Sequence, residues 1–349
     1  DVDLLFVLPY KQTPRSEQII EHMLYMLWDL GLKVGHATRS IDECLRQAKA
    51  DITIRSGLLE ARYIWGEQNL FRELRHRFWR EVVEGSESEF VEAKLHERDE
   101  RHKKMGDSRY VLEPNIKEGK GGIRDLQTLY WIAKYLYQVD DVSQLVEKEV
   151  FTSEEVALFD KAQMHLWTVR CQLHYLTGRP EERLTFDVQP QLAEAMHYLD
   201  RARTRGVERF MKHYFLVAKD VGDLTRIFCA AMEARQQRQR QFLAPLFGLW
   251  SRDIEGFPVA SGRLGIPGPR HFAQNPVDML RIFEVAQRNG LDIHPDALQA
   301  MTRSLRRINK KVRDDPEANQ IFLRILTSEK GAESTLRRMN EAGVFGRFI

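Results

Sequence analysis

Asp1 and Asp3 stand two residues apart in Asp1-Val-Asp-Leu-Leu-Phe-Val-Leu8, an apolar run with the character of a buried strand. On a strand that spacing points both carboxylates to the same face. Two like charges so close are unfavourable unless a cation lies between them, and Mg²⁺ suits the place, since it takes hard oxygen ligands and is shared with substrate phosphates. A third carboxylate on a neighbouring strand would complete a two-metal arrangement, in which one ion activates an attacking oxygen and the other stabilises leaving pyrophosphate. Asp51, opening Asp51-Ile-Thr-Ile-Arg55, is the candidate. Alone, D-x-D also describes two exposed carboxylates at a strand end; the order of the surrounding elements favours the metal reading.

Those elements can be read directly. Pro9 closes the first strand because it cannot donate a ladder hydrogen bond. From Ser16 to Leu30, the residues Ile19, Ile20, Met23, Leu24, Leu27 and Leu30 recur at helical spacing and Gly31 ends the run. Leu32 to Thr38 is a short strand candidate. Ser40 with Glu43 forms a capping box opening a helix to about Lys49, and Asp51 to Arg55 returns to β-type residues. Strand, helix, strand, helix, strand is an α/β arrangement. Because Asp1 is not a methionine and already lies in a strand, upstream sequence is expected in a parent protein.

Beyond Gly57, helical periodicity takes over at Gln68–Val83, Ser88–Lys104, Ile123–Tyr137, Ser153–Leu176 and Val207–Ala234, the helices of a bundle. Trp167, Leu173 and Leu176 on one, and Phe210, Tyr214, Phe215 and Leu224 on another, read as core stripes. Arg235 to Gln241 resembles a helix end or linker, and proline and glycine accumulate from Pro245 through Pro269, which places a boundary there. Pro276–Gln287, Pro295–Ile308, Glu317–Leu326 and Ala332–Glu341 predict a second helical module.

The 349 residues, 43% apolar and 30% charged, suffice for two or three cores. A net charge of +2, from 53 basic and 51 acidic residues, gives no reason to expect a nucleic-acid or membrane partner, and neither is expected. Three scattered cysteines and no signal or spanning segment point to a reducing, cytoplasmic setting.

Lys117-Glu-Gly-Lys-Gly-Gly-Ile-Arg124 places cations and glycines ahead of a helix and has two readings. Backbone N–H groups, Lys117 and Arg124 meet an anion there, or the glycines pack a turn closely and Arg124 and Asp125 make local salt bridges. His36 either contacts nucleotide or orients a carboxylate, or is an ordinary core or edge histidine. Arg39 and Arg55 pair with phosphate or with surface carboxylates. The arginines of Arg235–Arg240 and Arg303–Arg313 read as solvated faces.

Asp1-Val-Asp-Leu-Leu, Val34-Gly-His-Ala-Thr-Arg39, Leu112-Glu-Pro-Asn-Ile-Lys117, Gly121-Gly-Ile-Arg-Asp125 and Val207-Glu-Arg-Phe-Met-Lys-His-Tyr-Phe215 resemble the bacterial PII uridylyltransferase/uridylyl-removing family. The resemblance covers essentially the whole chain, and L-E-P-N-I-K-x-x-x-G-G-I-R-D is its most specific piece. It implies an α+β, mostly helical protein: an incomplete DNA-polymerase-β-like nucleotidyltransferase domain over 1–110, a helical bundle over 111–240, and a helical module over 241–349 leading to an absent HD phosphohydrolase domain. It implies transfer of UMP from UTP to a tyrosine of the PII signal protein, with Mg²⁺ or Mn²⁺. Asp1, Asp3 and Asp51 match the family's metal carboxylates, and Lys117, Gly121, Gly122, Arg124 and His36 are the candidate nucleotide contacts. The family's glycine-serine triphosphate loop and its C-terminal ACT domains, which sense glutamine, are not in this sequence, so an impaired fragment is expected. The alternatives are a non-catalytic PII- or nucleotide-binding module, and an adenylyltransferase acting on glutamine synthetase, whose family shares a K-x-G-x-G-G-I-R-[DE] motif.

Overall fold

A computed structural model describes residues 2–10, 12–106, 111–242, 252–260, 262–329 and 331–349. They divide into two units, Asp1–Asp107 with Gln127–Leu145, and Ser108–Leu126 with Val146–Ile349. Asp1 and the residues around the expected boundary, 243–251, lie outside the described residues. Among the described residues no helix is long and apolar enough to cross a membrane.

The first unit opens with strand β1 (Val2–Leu8), helix α1 (Pro14–Asp29) and strand β2 (Val34–Ser40). Thr13 caps α1 and Pro14 occupies its first turn, where a missing N–H costs nothing. The strands pair in parallel, with Val2 opposite Val34 and Leu8 opposite Ser40, the pairing that a helical crossover allows and a tight hairpin does not. Helix α2 (Ile41–Ala50) starts on the predicted capping box: Ser40 N donates to Glu43 Oε2 at 3.0 Å and Glu43 N to Ser40 Oγ at 3.3 Å.

The expected third strand is a helix, α3 (Ile52–Leu59). Asp51 caps it, and Arg55 reaches back to Ala48 O at 2.8 Å and Lys49 O at 2.9 Å, closing the end of α2. An N-cap and a buried cation on orphan carbonyls outweigh the few tenths of a kcal/mol by which each of Ile52, Thr53 and Ile54 disfavours a helix. Arg55 is buried, so it is neither a surface partner nor a free phosphate ligand; Glu89 completes its environment at 3.2 Å.

Helix α4 (Gln68–Phe78), a π-helical turn (Trp79–Val83), α5 (Glu87–Lys104) and most of α6 (Ile123–Tyr137) complete this unit. Phe90 and Tyr135 stack at 3.9 Å, and the Tyr135 hydroxyl lies 2.7 Å from Ser86 Oγ. A buried phenol needs such a partner.

In the second unit α7 (Ser153–Thr177), α8 (Val188–Ala195) and α9 (Gly206–Phe242) pack around Leu166, Leu173, Leu192, Phe210, Tyr214 and Leu224. Trp167 and Leu176, expected in that stripe, are 37% and 40% exposed. Trp167 instead carries the Arg170 guanidinium over its ring at 5.1 Å. Arg235–Gln241 continues α9.

The C-terminal part is not wholly helical. Strands β3 (Arg252–Ile254), β4 (Phe257–Ala260), β5 (Arg263–Leu264) and β6 (Asp292–Ile293) form a sheet in that order. Helices α10 (His271–Gln274), α11 (Asp278–Asn289), α12 (Pro295–Ser304), α13 (Lys310–Arg313), α14 (Pro316–Leu326), α15 (Ala332–Glu341) and α16 (Phe345–Phe348) surround one core centred on Phe257, Phe272, Met279 and Phe283. Arg303, expected on a solvated face, forks onto Glu155 of α7 at 2.8 and 3.0 Å, a bidentate geometry that ties α12 to the bundle.

Candidate functional site

The β1/β2 register decides which side chains share a face. Asp3 lies opposite Gly35, and Leu4 opposite His36. Paired residues point the same way and successive residues alternate, so Asp3, Leu5 and Val7 share a face with Gly35, Ala37 and Arg39. His36 belongs to the other face, edge-on to Trp28 of α1 with ring centroids 6.4 Å apart. Asp3 is exposed, and its carboxylate lies across β2: a Cβ built on Gly35 would stand 2.6 Å from Asp3 Oδ1.

Asp51 sits at the α2/α3 corner. Its Oδ1 accepts from Thr53 N at 2.6 Å and Ile54 N at 3.3 Å. Those two backbone donors hold its carboxyl below the usual carboxylate range, the Thr53 bond first, with a smaller electrostatic contribution from Lys94. Lys94 is a feature that sequence reading missed: only 3% exposed, it pairs with Glu97 at 2.9 Å and sits 4.8 Å over the Trp131 ring. The only earlier signal was a lysine one turn beyond the apolar pair Phe90 and Val91 on an otherwise charged helix. The Arg55–Glu89 contact lays α3 beside α5, which carries Lys94. Among the described residues no group of three His, Cys, Asp or Glu is arranged to hold a metal ion.

Asp3, His36 and Asp51 thus belong to the first unit, whereas Lys117, Gly121, Gly122 and Arg124 belong to the second. The glycine-rich segment is closed by its own hydrogen bonds. Asn115 Oδ1 accepts from Lys117 N at 3.0 Å and Glu118 N at 2.7 Å; Gly121 N donates to Asp125 Oδ2 at 2.8 Å. Gly119 N, Gly122 N, Ile123 N and Arg124 N donate to carbonyls of Asn115, Gly119, Ile116 and Lys117. These N–H groups are therefore not held out for an anion. Gly121, at φ +83°, leaves no room for a side chain: an added Cβ would meet Ala218 O of α9 at 2.5 Å. Gly122 is packed as closely against Ile116 O. Close packing accounts for both glycines, and the cationic side chains remain as the groups that could meet a phosphate. Arg124 lies 3.5 Å from Glu118, and Lys117 is half-buried with no ion pair among the described residues.

The family described as "GlnD PII-uridylyltransferase" matches residues 89–229, and that described as "Uridylyltransferase GlnD third domain" matches residues 257–348. A bifunctional uridylyltransferase/uridylyl-removing enzyme of Azospirillum brasilense is 63% identical over 351 residues, covering 100% of this chain and 38% of that protein. The enzyme of the same name from Rhodospirillum rubrum is 56% identical over 349 residues, covering 100% of this chain and 37% of that protein. The chain therefore spans between 37% and 38% of the length of these curated relatives. No solved structure matches. The relatives also align through β1, β2 and α3, which precede the first family match, and with two GlnD matches that together take in more than half of its residues the chain belongs to the GlnD PII-uridylyltransferase family.

Proposed function

We propose that this chain carries the carboxylates of a nucleotidyl-transfer centre that moves UMP from UTP to a tyrosine of a PII signal protein, in a parent that responds to glutamine. The observation that carries this reading is the Asp3 carboxylate laid over Gly35 on an exposed face, with Asp51 following one helix after β2. Strand β2 climbs about 20 Å and α2 spans about 15 Å, lengths that a strand and the helix returning from it must match for Asp51 to stand level with Gly35 and Asp3.

The donor set fits a divalent cation, Mg²⁺ or Mn²⁺. Carboxylate oxygens are hard ligands, and Asp51, tied down through Oδ1, keeps its second oxygen for another use. Asp1, Asp3 and Asp51 would hold that ion, which supplies charge neutralisation at the phosphates and at the attacking oxygen. The tyrosyl oxygen attacks the α-phosphorus, the bond to the bridging oxygen breaks, pyrophosphate leaves and the phenolic proton passes to solvent. Within the second unit, Lys117 and Arg124 are the cationic side chains of the glycine-rich segment suited to a phosphate, and Gly121 and Gly122 set the course of that segment. His36, on the far face from Asp3, would act through the strand rather than by touching nucleotide.

The test is [α-³²P]UTP incubated with PII, Mg²⁺ and a polypeptide of the relatives' full length. Label should reach PII tyrosine and fall at least 100-fold in Asp3→Asn and in Asp51→Asn, the latter keeping an oxygen to cap α3. Undiminished labelling by either variant removes that residue from the centre, and labelling by ATP in place of UTP shifts the reading to adenylyl transfer.

A further inference from the structure

Gly35 has no assigned part in the proposed centre, yet its environment is specific. Its backbone is not in the left-handed region, so its own conformation does not demand glycine. What demands glycine is Asp3. A Cβ at position 35 would stand 2.6 Å from Asp3 Oδ1 and 3.8 Å from Asp3 Cγ, and it would meet no other heavy atom within 4 Å. The next residue of β2 on that face, Ala37, is also small, so nothing on the strand props the carboxylate away from the backbone.

We propose that Gly35 is a positioning residue for the nucleotidyl-transfer centre: the missing methyl lets the Asp3 carboxylate lie flat across β2, in the place from which it grips a divalent cation. The inference rests on the reading of Asp3 given above. Its physical content is a separation of effects. The group in the way is the free end of a flexible side chain, so an alanine at 35 is accommodated at little cost to folding, and in a strand alanine removes the entropic penalty of glycine. To reach ordinary contact at 3.4 Å, however, Oδ1 must retreat by about 0.8 Å. Mg²⁺ demands near-octahedral oxygens at about 2.0–2.1 Å, and a site holds its geometry to about 0.5 Å. The displacement exceeds that tolerance. If Gly35 were instead required by backbone packing, alanine would destabilise the unit and leave cation affinity per folded molecule unchanged.

The experiment is Mn²⁺ binding followed by electron paramagnetic resonance, with thermal unfolding of the same samples, for this chain and its Gly35→Ala, Asp3→Asn and Gly57→Ala variants. Gly57 has nothing within 4 Å of an added Cβ and serves as the control. Gly35→Ala and Asp3→Asn should each weaken Mn²⁺ by about 10- to 100-fold, with the unfolding midpoint of Gly35→Ala no lower than that of the unsubstituted chain and Gly57→Ala binding normally. If Asp3→Asn weakens binding and Gly35→Ala does not, the role of Gly35 is overturned while the centre stands. A Gly35→Ala chain that fails to fold also overturns it, because the clash would then lie with the backbone. If the unsubstituted chain takes up no Mn²⁺, or Asp3→Asn binds as well as it does, the reading of the centre falls and this inference falls with it.

Discussion

Gly121→Ala separates a glycine required by packing from one kept for a ligand. Two costs add in the folded chain. At φ +83° an L-residue pays about 1–2 kcal/mol in the left-handed region. The new Cβ would also stand 2.5 Å from Ala218 O and 2.8 Å from Ala218 Cβ, both part of α9 and unable to swing aside. Forcing that contact open is overpacking, worth about 1–3 kcal/mol, so the expected loss is roughly 2–5 kcal/mol. Gly178→Ala supplies the calibration. Gly178 caps α7 at φ +63° with nothing within 4 Å of its Cβ, and should lose only the conformational part, about 1 kcal/mol. Urea unfolding of the three chains, without nucleotide, gives the comparison. Were Gly121 kept chiefly for close approach of a phosphate, Gly121→Ala would unfold with Gly178→Ala or later and show its defect only as weakened UTP binding. That outcome would refute the packing argument.

Arg55→Met should destabilise the first unit by about 2–4 kcal/mol in urea unfolding, since Ala48 O and Lys49 O lose their buried donor and Glu89 its partner; a change below about 0.5 kcal/mol, typical of a surface site, would show that Arg55 does not secure the α2/α3 corner. His165, whose ring lies 4.2 Å from that of His213, is pushed down to about 4, first by burial and then by His213. The unfolded chain takes that proton near 6.5, so this contribution is complete above about pH 6.5 and drains away as pH falls toward 4. The shift corresponds to about 3 kcal/mol in full, and solvent screening reduces it to about 1–2. The unfolding free energy should therefore fall more steeply between pH 7 and pH 4.5 in the unsubstituted chain than in His165→Gln; parallel curves would contradict the assignment.

Much of this architecture was legible because its signals are local. The Ser40/Glu43 capping box, the helical recurrence from Ile19 to Leu27 and the apolar run of β1 each declare themselves within a few residues. Asp51-Ile-Thr-Ile misled because three β-branched residues resemble a strand, and the deciding contacts come from outside the window: Arg55 on the end of α2, and Glu89 on Arg55. Strands β3 to β6 run two to four residues each, too short for an alternation to emerge. Trp167 carries the right spacing for a core position, yet it stays part-exposed with Arg170 over its ring, an outcome that spacing along one helix does not encode. At the site, D-x-D and Asp51 were visible as residues. The facing of Gly35 against Asp3, and of His36 away from it, depends on the β1/β2 register, which no single strand encodes.

Whether Asp3 and Asp51 share one ion is answered most directly by anomalous diffraction from Mn²⁺-soaked crystals. One peak within about 2.3 Å of a carboxylate oxygen of each residue is the expected result. Manganese bound to only one of them, or the two carboxylates standing more than about 10 Å apart and so beyond any bridging ion, would contradict the account.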